Sequence, residues 1–334
     1  MEIDKGTYID PIKTTVKEWM LTWVKNYIVD VKASTAYLYK NCAEKYIIPN
    51  LGAVRLQELK APMIQSFYNT LWKPKKEGVN PLCPKTIRNV HGVLHKALQQ
   101  AVLLGLIRYN PSDACKTPKV IHKEIKPLDE EQIRDFMQAL DGKPHEYLYK
   151  IALFTGMRKS EILGLAWDSV DFENSTVTVC QQLRREQKKG GKYYFSPPKS
   201  NKTRVLVVPP SVLRLFRCQR RQQNEKRLLA GPDWQDTGLV FTNDTGGYLS
   251  GQTVYDCFKR VVTEIGCPNT RFHDLRHTYA VMAIKAGDDI KTVQENLGHA
   301  TAAFTLDYYA HVTNSMRHES ANRMEETMQE YLAV

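Results

Sequence analysis

Residues 272–280 read FHDLRHTYA, from Phe272 to Ala280. On a helix, positions i and i+3 share a face, so His273 and Arg276 point toward one spot. An imidazole beside a guanidinium suits a phosphate oxyanion. Both give charge-assisted hydrogen bonds, and the imidazole also exchanges a proton. His273 and His277 stand at i and i+4 as in HExxH, but Asp274 takes the place of its glutamate and Arg276 adds a cation on that face, which speaks against a zinc hydrolase. Taken alone, the stretch is better read as a helix whose histidines serve only its packing.

Three further clusters flank it. Downstream, Leu297-Gly298-His299 is followed by Tyr308-Tyr309-Ala310-His311. Gly298 can end the preceding helix and expose His299. Of two adjacent tyrosines one is usually core and one surface, but a phenol becomes a nucleophile where a positive field stabilises its phenolate. Upstream, Gly156 permits a tight turn that presents Arg158 before the next helix, and Glu161 can orient a guanidinium or cap that helix. Between them, Lys199 sits beside Pro198 and Ser200 in what reads as a turn between strands, ordinarily a place for solvated lysine. Its surroundings are strongly basic: residues 184–227 hold 14 basic side chains against Glu186 and Glu225.

The whole chain has 334 residues, about two domains at roughly 100–200 residues each. With 42% hydrophobic and 25% charged residues, it is neither disordered nor fibrous. No apolar run approaches the ~20 residues that span a bilayer, and no secretory signal opens the chain. Seven scattered cysteines without a CxxC pair point to reduced thiols rather than to disulfides or a zinc site. The net charge of +11 is uneven: residues 1–126 carry 20 basic and 10 acidic side chains, and the remainder is nearly balanced. A basic first part can be drawn to a polyanion, although many solvated basic faces bind nothing.

Periodicity predicts a helical first part. Trp19, Trp23 and Tyr27 mark one face of a helix over 16–29. Ser34 is the expected N-cap of a second helix reaching about Ile48, stopped by Pro49 and the Asn50-Leu51-Gly52 turn. Pro62 opens a third helix to about Leu71, and a fourth covers 86–104, with Gly105 closing it. Residues 110–127, rich in Pro and Lys, read as a linker. The second part is mixed, with helix starts at about Asp129 and His145 and further helices over 211–229, 251–265, 273–286 and 290–297. Strands over 176–183, 193–195 and 204–208 predict a small antiparallel sheet. An acidic, amphipathic segment over 316–331 closes the chain.

Four blocks in this order, TGMRKSEILGLAW, PPKSNKTRVLVVP, HDLRHTYA and LGHATAAFTLDYYAHV, make the sequence resemble the tyrosine recombinase (phage integrase) family. The likeness is greatest to integrases of phages and conjugative transposons of Gram-positive bacteria, and it covers about Thr15 to Val312. It implies a mainly α fold with a small antiparallel β-sheet: a four-helix core-binding (SAM-like) domain and an α/β catalytic domain closing on DNA as a C-shaped clamp. The divisions it implies are an N-terminal extension over 1–14, the core-binding domain over 15–109, a linker over 110–127, the catalytic domain over 128–312 and a tail helix over 313–334.

Carried over by motif, Arg158 and Arg276 match the family's two arginines, and Lys199 its β-hairpin lysine. His273 opens its HxxR motif, His299 belongs to its LGH block, and Tyr309 matches its nucleophile, with Tyr308 as the register risk. The resemblance implies a site-specific recombinase that integrates and excises a mobile element through a 3′-phosphotyrosine, without metal, ATP or other cofactor. A type IB topoisomerase-like relaxing enzyme is the alternative. The implied partners are double-stranded DNA at attachment sites, a homotetramer on synapsed DNA, an excisionase and a host DNA-bending protein, in a bacterial cytoplasm and with no membrane. Many similar integrases begin with a small arm-binding domain. The residues before Thr15 are too few for one, so the expectation is a shortened chain or a type without arm binding.

Overall fold

The computed structural model describes residues 13–73, 80–121, 126–186, 190–199, 201–298 and, near the C-terminus, 321, 322, 324, 325 and 327–332. The chain divides into two compact units between Lys123 and Glu124.

In the first unit, α1 (Val16–Asn26) starts at a capping box. The Thr15 hydroxyl accepts from the Glu18 N–H at 3.2 Å, and the Glu18 carboxylate accepts from the Thr15 N–H at 2.8 Å, so two otherwise orphaned donors are satisfied. Trp19 and Trp23 are buried, and the Trp19 indole donates to the Ala97 carbonyl at 2.9 Å. Tyr27, expected on the same face, lies past the helix end and is exposed.

The second helix departs from its expected limits. It begins as α2 (Ala33–Cys42) after Lys32, so Ser34 lies inside it and is not its N-cap. It does not stop at Pro49 but continues through a π-helical turn (Ala43–Ile47) into α3 (Ile48–Leu51), with Pro49 in the first turn of α3. The wider turn moves the Ile48 N–H onto the Ala43 carbonyl, so the bonding register shifts just before the residue that has no N–H to give.

The two remaining helices follow the sequence closely. Pro62 sits in the first turn of α4 (Ala61–Trp72). In α5 (Pro84–Leu103), Val90, Leu94, Ala97 and Ala101 are buried as the periodicity requires, and Gly105 turns the chain at φ +69°. The expected linker is docked at its start. Asn110 and Ser112 are buried, the Asn110 amide donates to the His95 carbonyl at 3.1 Å, and the Lys116 N–H donates to the Gln65 side chain at 2.8 Å. The first bond ties the segment to α5 and the second ties it to α4.

The second unit opens with α6 (Glu130–Ala139), capped by Asp129, whose side chain accepts from the Gln132 N–H at 2.9 Å. Then come α7 (Glu146–Thr155) and the short α8 (Lys159–Leu163). The β structure is two small antiparallel sheets rather than one. Strands β1 (Val170–Asp171), β2 (Thr176–Val179) and β5 (Arg204–Val207) form the first, with Thr176 opposite Val207 and Val179 opposite Arg204. Strands β3 (Gln182–Arg185) and β4 (Tyr193–Ser196) form the second.

The stretch 176–183, expected as one strand, breaks at Cys180-Gln181. There the Gln181 amide donates to the Gly164 carbonyl at 2.9 Å, and Gly164 approaches β3 so closely that a Cβ would stand 2.6 Å from the Leu183 nitrogen. Helices α9 (Pro210–Ala230), α10 (Gly251–Glu264), α11 (Phe272–Lys285) and α12 (Ile290–Leu297) complete the unit. Phe136, Tyr149, Phe258 and Phe272, each packed ring to ring with at least one of the others, join α6, α7, α10 and the start of α11. These contacts fix the helix that carries His273 and Arg276.

The described residues between 321 and 332 are helical and exposed; the rest of the expected tail lies outside the described residues. Among the described residues, no helix is long and apolar enough to cross a membrane.

Candidate active site

Helix α7 ends at Gly156, which takes φ +62°. That left-handed turn is cheap only for glycine, and a Cβ there would stand 2.6 Å from the Tyr279 ring. Two residues later Arg158 is the N-cap of α8. Its backbone N–H donates to the Glu161 carboxylate at 3.0 Å, and its Nη1 donates to Glu161 Oε1 at 2.7 Å. Glu161 is buried and takes a second guanidinium, Arg204 from the start of β5, at 2.7 Å to Oε2 and 3.2 Å to Oε1. Burial alone pushes the Glu161 pKa up. The hydrogen bonds and charge of Arg204, with the charge of Arg158, outweigh it and hold the carboxyl at about 2.

Arg276 enters from α11 and is almost fully buried. Its Nη1 donates to the Gly156 carbonyl at 2.9 Å and its Nη2 to the Leu297 carbonyl. Arg158 Nη2 donates to the Gly298 carbonyl at 3.2 Å, and Arg204 Nε to the Asn296 carbonyl at 2.8 Å. Three consecutive carbonyls at the end of α12 thus each receive an arginine, and each arginine comes from a different element. A helix C-terminus carries partial negative charge on its last carbonyls, which suits three cations. Gly298 closes the helix at φ +62°.

His273 lies one turn before Arg276 with its surface exposed, and its ring meets that of His277 edge-on at 5.0 Å. Atoms packed about the imidazole, then the charges of Arg276 and Arg158, lower its pKa to about 4. His273 is therefore neutral at pH 7 and has a lone pair for a proton. Burial and the neighbouring His273 likewise bring His277 down to about 4.

Arg158, His273 and Arg276 are thus assembled around the turns at Gly156 and Gly298. Lys199 is exposed on the connection between β4 and β5, five residues before Arg204. His299, Tyr309 and Tyr308 lie outside the described residues. Among the described residues, no group of three or more His, Cys, Asp or Glu side chains is placed to hold a metal ion. Two guanidiniums with a neutral imidazole beside them can grip the non-bridging oxygens of a phosphodiester and accept a proton. Arg204 is the residue that sequence reading missed. It lies in a quoted block but reads there as a strand residue, and no local spacing ties it to Glu161.

Comparison with known proteins gives the family and the fold. The pattern described as "Phage integrase family" matches residues 126–316, and "Phage integrase, N-terminal SAM-like domain" matches residues 15–72. A "Tyrosine recombinase XerC-like" protein of Caldanaerobacter subterraneus subsp. tengcongensis is 28% identical over 329 residues, covering 93% of this chain and 82% of that protein. The integrase of transposon Tn1549, solved in complex with transposon right end DNA, shares the fold. Its TM-score is 0.76 at 24% identity, covering 96% of this chain and 100% of that one. Lambda integrase, solved as a tetramer bound to a Holliday junction, shares it at TM-score 0.61 and 18% identity, covering 87% and 79%.

Proposed function

The chain belongs to the phage integrase family, and on that premise we propose how its residues carry out the reaction. It is a site-specific DNA recombinase that cuts and rejoins DNA strands. The observation that carries the residue assignment is the convergence of Arg158 and Arg276 on one helix terminus, with His273 one turn before Arg276 on α11.

In the proposed reaction the two arginines hold the non-bridging oxygens of the scissile phosphate and neutralise the charge that grows in the pentacoordinate state. The Tyr309 oxygen attacks phosphorus, and its proton passes to His273. The bond from phosphorus to the 5′ oxygen breaks, and that oxygen takes a proton from Lys199. His299 stabilises the pentacoordinate state. The product is a 3′-phosphotyrosine and a free 5′-hydroxyl. Attack by the 5′-hydroxyl of a partner strand reverses the step and releases the tyrosine. The balance of bonds is kept at both stages, so no external energy source is needed.

The helical first unit is proposed to grip the core of the attachment site, and its basic charge supports this. A homotetramer on paired sites and a role in moving a mobile element are supported by lambda integrase and the Tn1549 integrase. An excisionase and a host DNA-bending protein as partners, and work in a bacterial cytoplasm, remain part of the same proposal. The test is a plasmid carrying two junction sequences of the element that encodes the protein. Exchange of flanking markers is expected. Relaxation of supercoils without exchange would replace the recombinase reading with that of a relaxing enzyme.

A further inference from the structure

We infer that Arg204 is a positioning residue: it clamps the Glu161 carboxylate to the Asn296 carbonyl and thereby sets where Arg158 meets the scissile phosphate. The inference rests on the function proposed above and adds a residue to it.

Arg204 is held at the start of β5 by its register opposite Val179. Its fork spans two separate elements, with Nη1 and Nη2 on Glu161 of α8 and Nε on Asn296 at the end of α12. The side chain is nearly buried, 9% exposed against 19% for Arg158. It also packs on Gly298, where an added Cβ would stand 3.2 Å from Arg204 Cδ. Arg158 hangs from the same two supports, bonded to Glu161 on one side and to the Gly298 carbonyl on the other. Arg204 is assigned no substrate contact: all three of its nitrogens, Nε included, already donate to Glu161 or Asn296.

Without it, Glu161 Oε2 loses its closest partner and the carboxylate is free to turn onto Arg158. The end of α12 also loses the tie to β5. Both changes move the Arg158 guanidinium. A displacement of about 1 Å at such a group costs on the order of 10²-fold in rate. A lysine at 204 keeps the charge but has no planar fork with which to bridge the two supports.

The test compares wild type, Arg158→Ala, Arg204→Lys and Arg204→Met in single-turnover cleavage of a nicked suicide substrate at saturating DNA. Each is run with a normal scissile phosphate and with a methylphosphonate there, and DNA affinity and thermal melting are measured alongside. A methylphosphonate replaces one charged oxygen by methyl, so it no longer needs a guanidinium to neutralise that oxygen. Expected is about a 10²-fold loss for folded Arg204 variants on the normal phosphate, with DNA affinity within a few-fold of wild type. Their deficit relative to wild type should collapse on the methylphosphonate, as should that of Arg158→Ala. Equal deficits on both substrates, no deficit on either, or failure of both variants to fold would overturn the inference and leave Arg204 as a core ion-pair residue. Failure of wild type to form the covalent adduct would instead strike the proposed function itself.

Discussion

Arg158 and Arg276 come from different helices yet donate to neighbouring carbonyls, those of Gly298 and Leu297, at the end of α12. The two cations are held in place before any phosphate arrives. Their mutual repulsion is offset by the carbonyl dipoles of that turn and, for Arg158, by Glu161. A site arranged in advance in this way spends little of its binding energy on reorganisation when charge develops on phosphorus.

Glu161 holds two guanidiniums in a buried place. Removing one partner of such a pair strands the other charges, at a cost of about 3–5 kcal/mol. Glu161→Ala should lose stability of that order in chemical denaturation. A loss below about 1 kcal/mol, the value of an exposed pair, would show that the network is solvated in solution.

Gly156 combines a positive φ with a close approach to Tyr279 and Leu297. Gly156→Ala should destabilise by roughly 1–3 kcal/mol from backbone strain alone, before steric contact is counted. It should also slow strand cleavage, because the Gly156 carbonyl is an anchor of Arg276. Unfolding midpoints and single-turnover cleavage of the same variant check both effects.

Acid should unfold the second unit early. His273 and His277 have folded pKa values near 4, below the ordinary 6.5. Between these values the unfolded chain binds more protons, so stability rises with pH across the window and is lost as pH falls from about 6.5 toward 4. Glu161, held near 2, adds to the loss below about pH 4.5. For buried His277 the effect is up to roughly 3 kcal/mol. Denaturant titrations between pH 7 and 4.5 should show this slope, and His277→Gln should flatten it. An unchanged slope in the variant would place the titrating group elsewhere.

Lys199, exposed beside β5, is assigned the proton for the 5′ oxygen. Lys199→Ala should slow cleavage by roughly 10²–10⁴-fold, the range of general acid catalysis. A substrate with a 5′-bridging phosphorothiolate has a leaving group that needs no proton and should restore the rate. No recovery would return Lys199 to the role of a phosphate-contacting surface lysine.

Much of this was legible in the chain because it rests on local rules. The i, i+3 pairing of His273 with Arg276, the cap at Asp129, the buried face of α5 and the turn at Gly156 each follow from residues a few positions apart. What was not legible depends on contacts between distant segments. Pro49 reads as a helix stop because the π turn that absorbs it has no sequence signature. The break at Cys180-Gln181 falls where Gly164, distant in sequence, lies against the start of β3. Asn110 and Ser112 look like linker residues until α5 is placed beside them. Arg204 looks like any polar residue at a strand start until Glu161 and Asn296 are brought to it.

The central claim is that Tyr309 is the nucleophile served by Arg158, Arg276 and His273. Successive residues on a helix are about 100° apart, so if the two tyrosines are helical only one of them can face a given phosphate. The direct measurement is peptide mapping of the covalent DNA adduct trapped on a nicked suicide substrate. The adduct should lie on Tyr309, be absent in Tyr309→Phe at nearly unchanged DNA affinity, and persist in Tyr308→Phe. An adduct mapped to Tyr308, or one that survives Tyr309→Phe, would contradict the assignment.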